Sequence, residues 1–240
     1  MIDQEKGILY LIPSYLHPES EVSVIPSGNI EIIRKIDFFV VENKRTARRM
    51  LRKMGFAEDF DEKKFAELNK HTDPVQIPDM LMPALKGNDI GLLSEAGPPC
   101  IADPGSIVVS YAHSKGIKVV PLTGPSSILL ALMASGMNGQ NFVFHGYLPI
   151  DNKARSQKIR EIEQLSKQSD QTQVFIETPF RNNQLLEALL RNCNEGTLLC
   201  IACDITHPSS EMILTKPIRF WKNHKPDLHK KPVVFLIYSR

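Results

Sequence analysis

Two rhythms of apolar residues alternate along this chain. Short runs rich in branched and aromatic residues predict strands at Gly7–Ile12, Asp37–Val41, Asp89–Leu93, Lys118–Val120, Phe142–Phe144, Gln173–Ile176, Thr197–Ala202, Met212–Thr215 and Val233–Tyr238. Longer stretches with apolar positions three or four apart predict helices at Thr46–Met54, Ile77–Lys86, Ser106–Lys115, Pro125–Ser135, Asn152–Lys167 and Asn182–Asn192. The first half alternates strand and helix, as a mostly parallel, doubly wound sheet does. Three strands follow the last helix directly, which predicts an antiparallel portion of a second sheet. The expected fold is α/β, with two α/β domains of similar size over residues 1–121 and 122–240.

Composition narrows the class. Hydrophobic residues make up 42% and charged residues 23% of the 240 positions, as in a soluble globular protein. No run approaches the ~18 apolar residues of a membrane span. The start, "MIDQEKGILYLIP", has no signal-peptide pattern, so a cytoplasmic protein with no membrane partner is expected. The net charge of +2 neither demands nor excludes nucleic acid. Cys200 and Cys203 sit in the strand-like "TLLCIACD", where residues three apart face opposite ways. With Cys100 and Cys193 they are expected to be reduced core thiols, and no metal site is expected. The chain has no GxGxxG after a strand, no Walker-type loop, no HExxH and no GxSxG.

Unusual residues collect just after strands: Pro13, Glu42, Ser94–Gly97, Thr123–Ser126, Glu177-Thr178-Pro179 and Asp204. Ligands of open α/β sheets bind outside the carboxyl ends of strands. The stretch "LLSEAGPPCIADPG" therefore reads as a ligand-facing loop, small enough for close backbone approach and stiffened by proline. Asp103 and Pro104 read as the cap and first residue of the following helix. In "PLTGPSSILLALMASG" a helix apolar on every side is expected to be buried. Its N-terminus suits a polar ligand, or is simply a capped core helix.

Positive charge is concentrated in "NKRTARRMLRKMG". There Arg45, Arg48, Arg49 and Arg52 share one helix face, flanked by Lys44 and Lys53, opposite Ala47, Met50, Leu51 and Met54. Such a stripe attracts phosphates, or is a solvated face. "DNKARSQKIR", with Lys153 and Arg155, and "RFWKNHKPDLHKK" are also basic; Phe220 and Trp221 in the latter either stack on bases or pack beneath a hairpin.

"LLSEAGPPCIADPG", "VVPLTGPSSILLALMASG", "FVFHGYLP" and "IETPFR", in this order, resemble the tetrapyrrole-methylase-like S-adenosylmethionine-dependent methyltransferases, most of all the branch that methylates a ribose 2′-hydroxyl of small-subunit ribosomal RNA. The resemblance runs from about Gly7 to Tyr238. It implies two α/β domains with the cofactor, S-adenosyl-L-methionine, in the cleft between them, and a homodimer. Carried over by motif, the cofactor contacts are Pro13, Ser94, Glu95, Ala96, Gly97, Pro98, Ile101, Thr123, Gly124, Pro125 and Ser126, then Ile176, Ala202 and Pro232. RNA contacts are expected from Arg48, Arg49, Arg52, Lys153 and Arg155, with ribosomal RNA or the small subunit as partner.

The chain departs from the family pattern in several places. Glu95 stands for an aspartate, Pro98 for a threonine, and His207 for a lysine. "ENKRTA" keeps Glu42 and Arg45 but loses a second acid, "ETPFR" keeps Glu177 and Arg181, and the first loop is displaced, with an echo in "PSGNIE". Methyl transfer to a hydroxyl needs alignment, and a base or a cation helps. Glu42, Arg45 and Glu177 are the candidates; a Glu42–Arg45 ion pair and a Glu177-ordered turn are the structural alternatives. A methylase of a tetrapyrrole or another small molecule, and a non-catalytic RNA-binding relative, are the competing functional readings.

Overall fold

The computed structural model describes residues 5–56, 64–69 and 71–240. The chain divides into two compact units, Met1–Ser126 and Ser127–Arg240.

The first unit is built on five parallel strands in the order β3-β2-β4-β1-β5. These are β1 (Ile8–Ile12), β2 (Phe38–Val41), β3 (Phe65–Glu67), β4 (Ile90–Leu93) and β5 (Lys118–Pro121). The central β4 is buried along its whole length, which is why it reads as an unbroken apolar run rather than an alternating one. Ile12, Phe39, Val41 and Leu93 join one core with Met50 and Leu51 of α2 (Lys44–Lys53) and Ile33 of α1 (Ser27–Ile33). Leu9, Val40, Ile90 and Leu92 join another with Leu81 and with Val108 and Ala112 of α5 (Ser106–Ser114).

Several local outcomes differ from the sequence pattern, among them β3, which it does not predict. The expected helix at 77–86 is two single turns, α3 (Ile77–Met80) and α4 (Met82–Leu85), each with a proline in its first turn. Pro83 removes one backbone donor and blocks a continuous helix. "PSGNIE" is the start of α1 rather than a ligand loop. Asp103 does not cap α5, whose N-cap is Gly105. Its carboxylate instead accepts from Cys100 N (2.9 Å) and Gly105 N (2.7 Å), closing a turn in which Cys100 and Ala102 have φ of 70° and 63°.

The second unit carries a sheet in the order β6-β7-β10-β8-β9. Its strands are β6 (Phe142–Tyr147), β7 (Thr172–Ile176), β8 (Leu198–Cys203), β9 (Met212–Pro217) and β10 (Val233–Tyr238). β6 and β7 are parallel, while β7–β10, β10–β8 and β8–β9 are antiparallel, so the expected antiparallel portion is present, although a single helical turn at Ile218–Trp221 interrupts the run of strands expected to follow one another directly. Helices α7 (Asn152–Ser169) and α8 (Asn182–Asn192) close a core around Ile159, Ile162, Phe175, Leu185, Leu189 and Phe235. Trp221, in the short α9 (Ile218–Trp221), belongs to this core, 2% exposed, with its indole N–H on Leu199 O at 3.0 Å. α6 (Ser127–Ser135) buries Ile128, Ala131 and Leu132, yet leaves Leu129 and Met133 exposed, the latter by 79%. An all-apolar helix is thus covered on one face only.

Candidate functional site

Register puts the ends of the central strands of the first unit level. Ile12 and Val41 both pair with Leu93, so Pro13, Glu42 and Ser94 leave the sheet side by side. Their loops are then tied together. Ser14 and Gly97 exchange two backbone hydrogen bonds (2.9 and 3.2 Å). The buried Ser14 hydroxyl donates to Ser94 O at 2.6 Å, and the Ser94 hydroxyl to Gly97 O at 2.7 Å. Glu95 N donates to Glu42 Oε1 at 3.0 Å, which fixes the β4 loop to the end of β2. Asn29 of α1 donates from Nδ2 to Thr123 O at 2.7 Å, fixing the loop after β5. The backbone of Ala96 is therefore held on both sides.

Two glycines make this packing possible. A Cβ at Gly124 would fall 2.2 Å from Pro13 Cγ. Gly97 has φ +76° and lies near Leu16 and Pro125 O. Both positions exclude larger residues, the first by contact and the second by backbone conformation. Ile101, beyond the loop, is exposed. The region has the attributes of a backbone cradle for a small polar ligand: small side chains, rigid turns and converging strand ends.

Glu42 is the carboxylate best suited to handle a proton here. Burial pushes its carboxyl above the usual range, and the carboxylates of Asp103 and Glu95 push the same way against the opposing Glu95 N–H. The next residue, Asn43, caps α2 by accepting from Arg45 N and Thr46 N at 2.9 and 3.2 Å. That cap directs Arg45, Arg49 and Arg52 to the surface, where all three are exposed. Arg48 differs: it is half-buried, its guanidinium 5.7 Å from the centre of the Phe65 ring. Lys53 is held by Pro18 O (2.7 Å) and Ser20 O.

In the second unit Ile176, Val234 and Ala202 form one row across β7, β10 and β8, with Pro232 two residues before that row in β10. Pro232 O accepts from Asp204 N at 3.0 Å. Glu177 sits at this end, its side chain 1% exposed. Its Oε1 accepts from Thr178 N (2.6 Å) and from Arg181 Nε and Nη2 (3.0 and 2.7 Å), so it orders the 177–181 turn. His207 Nδ1 accepts from Ser209 N and Ser210 N (3.2 and 3.1 Å), likewise folding a turn. Lys153 is exposed, whereas Arg155 is 7% exposed, with Nη2 on Asn152. Arg155 is thereby withdrawn from the surface. Phe220 and Trp221 pack with the core of this unit and with each other, edge to face at 5.5 Å.

Ser14 and Asn29 do much of the tying and were not singled out in the sequence. A serine after a strand carries a faint signal, while an asparagine that reaches a carbonyl 94 positions away carries none. Among the described residues no group of three or more His, Cys, Asp or Glu is placed to hold a metal ion. No helix among them is long and apolar enough to cross a membrane.

Residues 25–218 match the sequence profile of the tetrapyrrole (corrin/porphyrin) methylases. A protein of Vibrio cholerae named ribosomal RNA small subunit methyltransferase I is 33% identical over 76% of this chain, a match spanning 59% of that protein's length. The Haemophilus influenzae protein of the same name is 28% identical over 98% of this chain and 79% of its own. Among solved structures, the methyltransferase CobJ superposes with a TM-score of 0.63 at 16% identity, covering 97% of this chain and 94% of its own. A conserved hypothetical protein from Aeropyrum pernix K1 superposes with a TM-score of 0.70 at 14% identity, covering 98% and 86%. These last two likenesses establish the fold.

Proposed function

The chain belongs to the tetrapyrrole methylase family, and on that premise we propose that it transfers a methyl group from S-adenosyl-L-methionine to a ribose 2′-hydroxyl of small-subunit ribosomal RNA. The observation that carries this reading is the joined cluster of strand-end loops, with Glu42 on one side of Glu95 and the exposed arginines of α2 next in the chain. The names of the relatives supply the acceptor class.

The residues present fit the donor. Ser94–Pro98 and Thr123–Ser126 supply backbone and small side chains in pinned turns, and Pro13 against Gly124 fixes the spacing between two of the loops. When bound, S-adenosyl-L-methionine supplies a methyl group made electrophilic by its sulfonium. The protein's own contribution is alignment of the acceptor, which lowers the entropic part of the barrier. Glu42 accepts the hydroxyl proton, a task suited to a carboxyl whose pKa is raised by burial. Arg45, at the start of α2, faces the phosphate beside the reacting ribose. Arg49 and Arg52 extend that contact along the strand, with Lys153 as a further basic contact. Glu177, spent on Thr178 and Arg181, keeps its loop in shape. The apolar face of Leu129 and Met133 supports a homodimer, and the acceptor class supports a cytoplasmic location.

Labelled methyl transfer to unmodified small ribosomal subunits tests the reading. Alkali-stable label in the RNA is expected; label confined to protein or to small molecules refutes it.

A further inference from the structure

Phe220 and Trp221 pack inward, and the aromatic ring that the second unit turns outward is Phe180. Among the described residues it is the most exposed phenylalanine, tyrosine or tryptophan, at 67%. We propose that Phe180, buttressed by His229, is a stacking platform for an unpaired base of the substrate RNA, one that flanks the methylated nucleotide. The inference rests on the RNA reading above and adds to it a contact on the second unit.

Three observations carry it. The ring stands on a stiff turn. Glu177 fastens Thr178 N and the Arg181 guanidinium on either side of it, and Pro179 holds the residue before it. Pro179 O accepts from Lys230 N at 2.9 Å, and Asn182 Nδ2 donates to Lys231 O at 2.7 Å, so residues 177–182 are laced to residues 229–231. Lys230 takes a left-handed φ of 62°, uncommon for a residue with a Cβ. Beside it His229 meets Phe180 edge to face, with ring centres 6.0 Å apart. The platform is therefore shaped before any ligand arrives, which lowers the ordering cost of binding.

Charge around the ring is layered. The side chains of Glu177 and Asp204 are 1% and 7% exposed, while those of their partners Arg181 and Lys231 are 30% and 44% exposed. The carboxylates lie beneath the surface and the cations on it, with Lys230 and His229 exposed alongside. The exposed Asp227 adjoins them, its Oδ1 accepting from Asn183 Nδ2 and His229 N (2.8 and 3.0 Å). An aromatic ring amid surface cations holds single-stranded nucleic acid by stacking and by phosphate attraction together.

Placement selects the base. The segments after β7 and before β10 leave the same end of the sheet as the row Ile176, Val234 and Ala202. The ring lies on an open surface, where a base can stack on it but is not enclosed. That suits a neighbour of the reacting nucleotide, and it accepts any base because every base has a face to stack.

The test uses the whole chain and a fragment of small-subunit ribosomal RNA that accepts methyl label. Phe180→Ala should weaken binding of the fragment about fivefold or more, with its salt dependence, the urea midpoint and S-adenosyl-L-methionine affinity unchanged. Lys230→Ala should lower the salt slope by about 0.7. Phe180→Trp should keep the affinity, and the fragment should quench its fluorescence beyond any change in the unsubstituted protein, whose Trp221 is buried. An abasic site at one flanking position should erase the effect of Phe180→Ala; erasure by an abasic site at the methylated nucleotide itself overturns the proposal. Unchanged RNA affinity in Phe180→Ala overturns it as well. So does a loss of S-adenosyl-L-methionine affinity, or quenching by that donor alone, since the ring then stacks on the donor's adenine. A loss confined to intact small subunits and absent with the fragment overturns it in favour of a ribosomal protein. Methyl transfer is measured on the same preparations. Transfer by the unsubstituted protein with full RNA binding by Phe180→Ala removes the platform and keeps the function; no transfer to RNA by the unsubstituted protein removes the function and the platform with it.

Discussion

Pro13 and Gly124 touch so closely that no side chain fits between them: a Cβ on Gly124 would lie 2.2 Å from Pro13 Cγ. The pair joins the loop after β1 to the loop after β5. Gly124→Ala must push Pro13 away or distort its own turn, at a cost of roughly 1–3 kcal/mol. The expected result is a folded protein with a lowered thermal midpoint and S-adenosyl-L-methionine affinity reduced about tenfold or more, by calorimetry. Unchanged affinity would show that these loops do not hold the donor.

Asn29 performs a similar task by a single hydrogen bond, Nδ2 to Thr123 O at 2.7 Å. Asn29→Ala removes that hydrogen bond from an exposed loop, a loss of about 0.5–1.5 kcal/mol. Because the bond fixes a ligand loop, donor affinity should fall together with stability. Asn29→Asp cannot donate and should resemble the alanine variant. A full return of affinity with aspartate would break the argument.

What the sequence discloses depends on whether a signal is local. Strand runs such as "IGLL" are legible because burial on both faces leaves an unbroken apolar pattern. The loops Ser94–Gly97 and Thr123–Ser126 are legible because glycine and proline mark them. The pins Ser14 and Asn29 are not, since their meaning lies in partners 80 and 94 residues away. Charge misleads in a similar way. Arg48 and Arg155 fit a basic pattern, yet one lies over Phe65 and the other is buried beside Asn152. Leu129 and Met133 mislead in reverse, as apolar residues in an all-apolar helix that remain uncovered.

That division of α2 is testable by paired substitutions. Arg49→Glu should weaken binding of a small-subunit RNA fragment and lower its salt dependence by about 0.7 per lost phosphate contact, with stability nearly unchanged. Arg48→Glu should instead lower stability, because it removes the contact over Phe65 and sets a carboxylate in a half-buried place. Gel-shift titrations across a salt series, beside urea unfolding, separate the two. Equal loss of RNA affinity at equal stability would return Arg48 to the RNA face.

Glu163 supports the second unit. Its buried carboxylate accepts from Asn194 N (2.7 Å), Asn194 Nδ2 (2.9 Å) and the Thr197 hydroxyl, joining α7 to the turn before β8. Glu163→Ala strands three donors and should cost on the order of 3 kcal/mol in urea unfolding. Glu163→Gln keeps one acceptor oxygen and should cost less. If alanine and glutamine destabilise equally, the charge rather than the donor count is what matters.

The buried thiols predict how the fold fails in alkali. All four cysteines are free. Burial pushes the Cys203 thiol from the usual 9.0 to about 12, with Asp204 adding to the rise, and Cys100 to about 11, with Asp103 adding. The folded-state pKa lies above the unfolded one, so the folded protein holds these protons when the unfolded chain has lost them. Their contribution is fully present below pH 9 and is lost as pH rises through about 11 for Cys100 and about 12 for Cys203. Within that window Cys203 alone should remove about 1.4 kcal/mol of stability per pH unit. Urea midpoints measured from pH 8 upward should therefore fall steadily, and Cys203→Ala should flatten the decline while costing a little stability at neutral pH. Native cysteines should resist iodoacetamide at pH 7.5, with the half-buried Cys100 the first to react as pH is raised. Parallel stability curves for the protein and Cys203→Ala would assign the alkaline loss to other groups, of which Tyr15, its phenol raised by burial, is the first to examine.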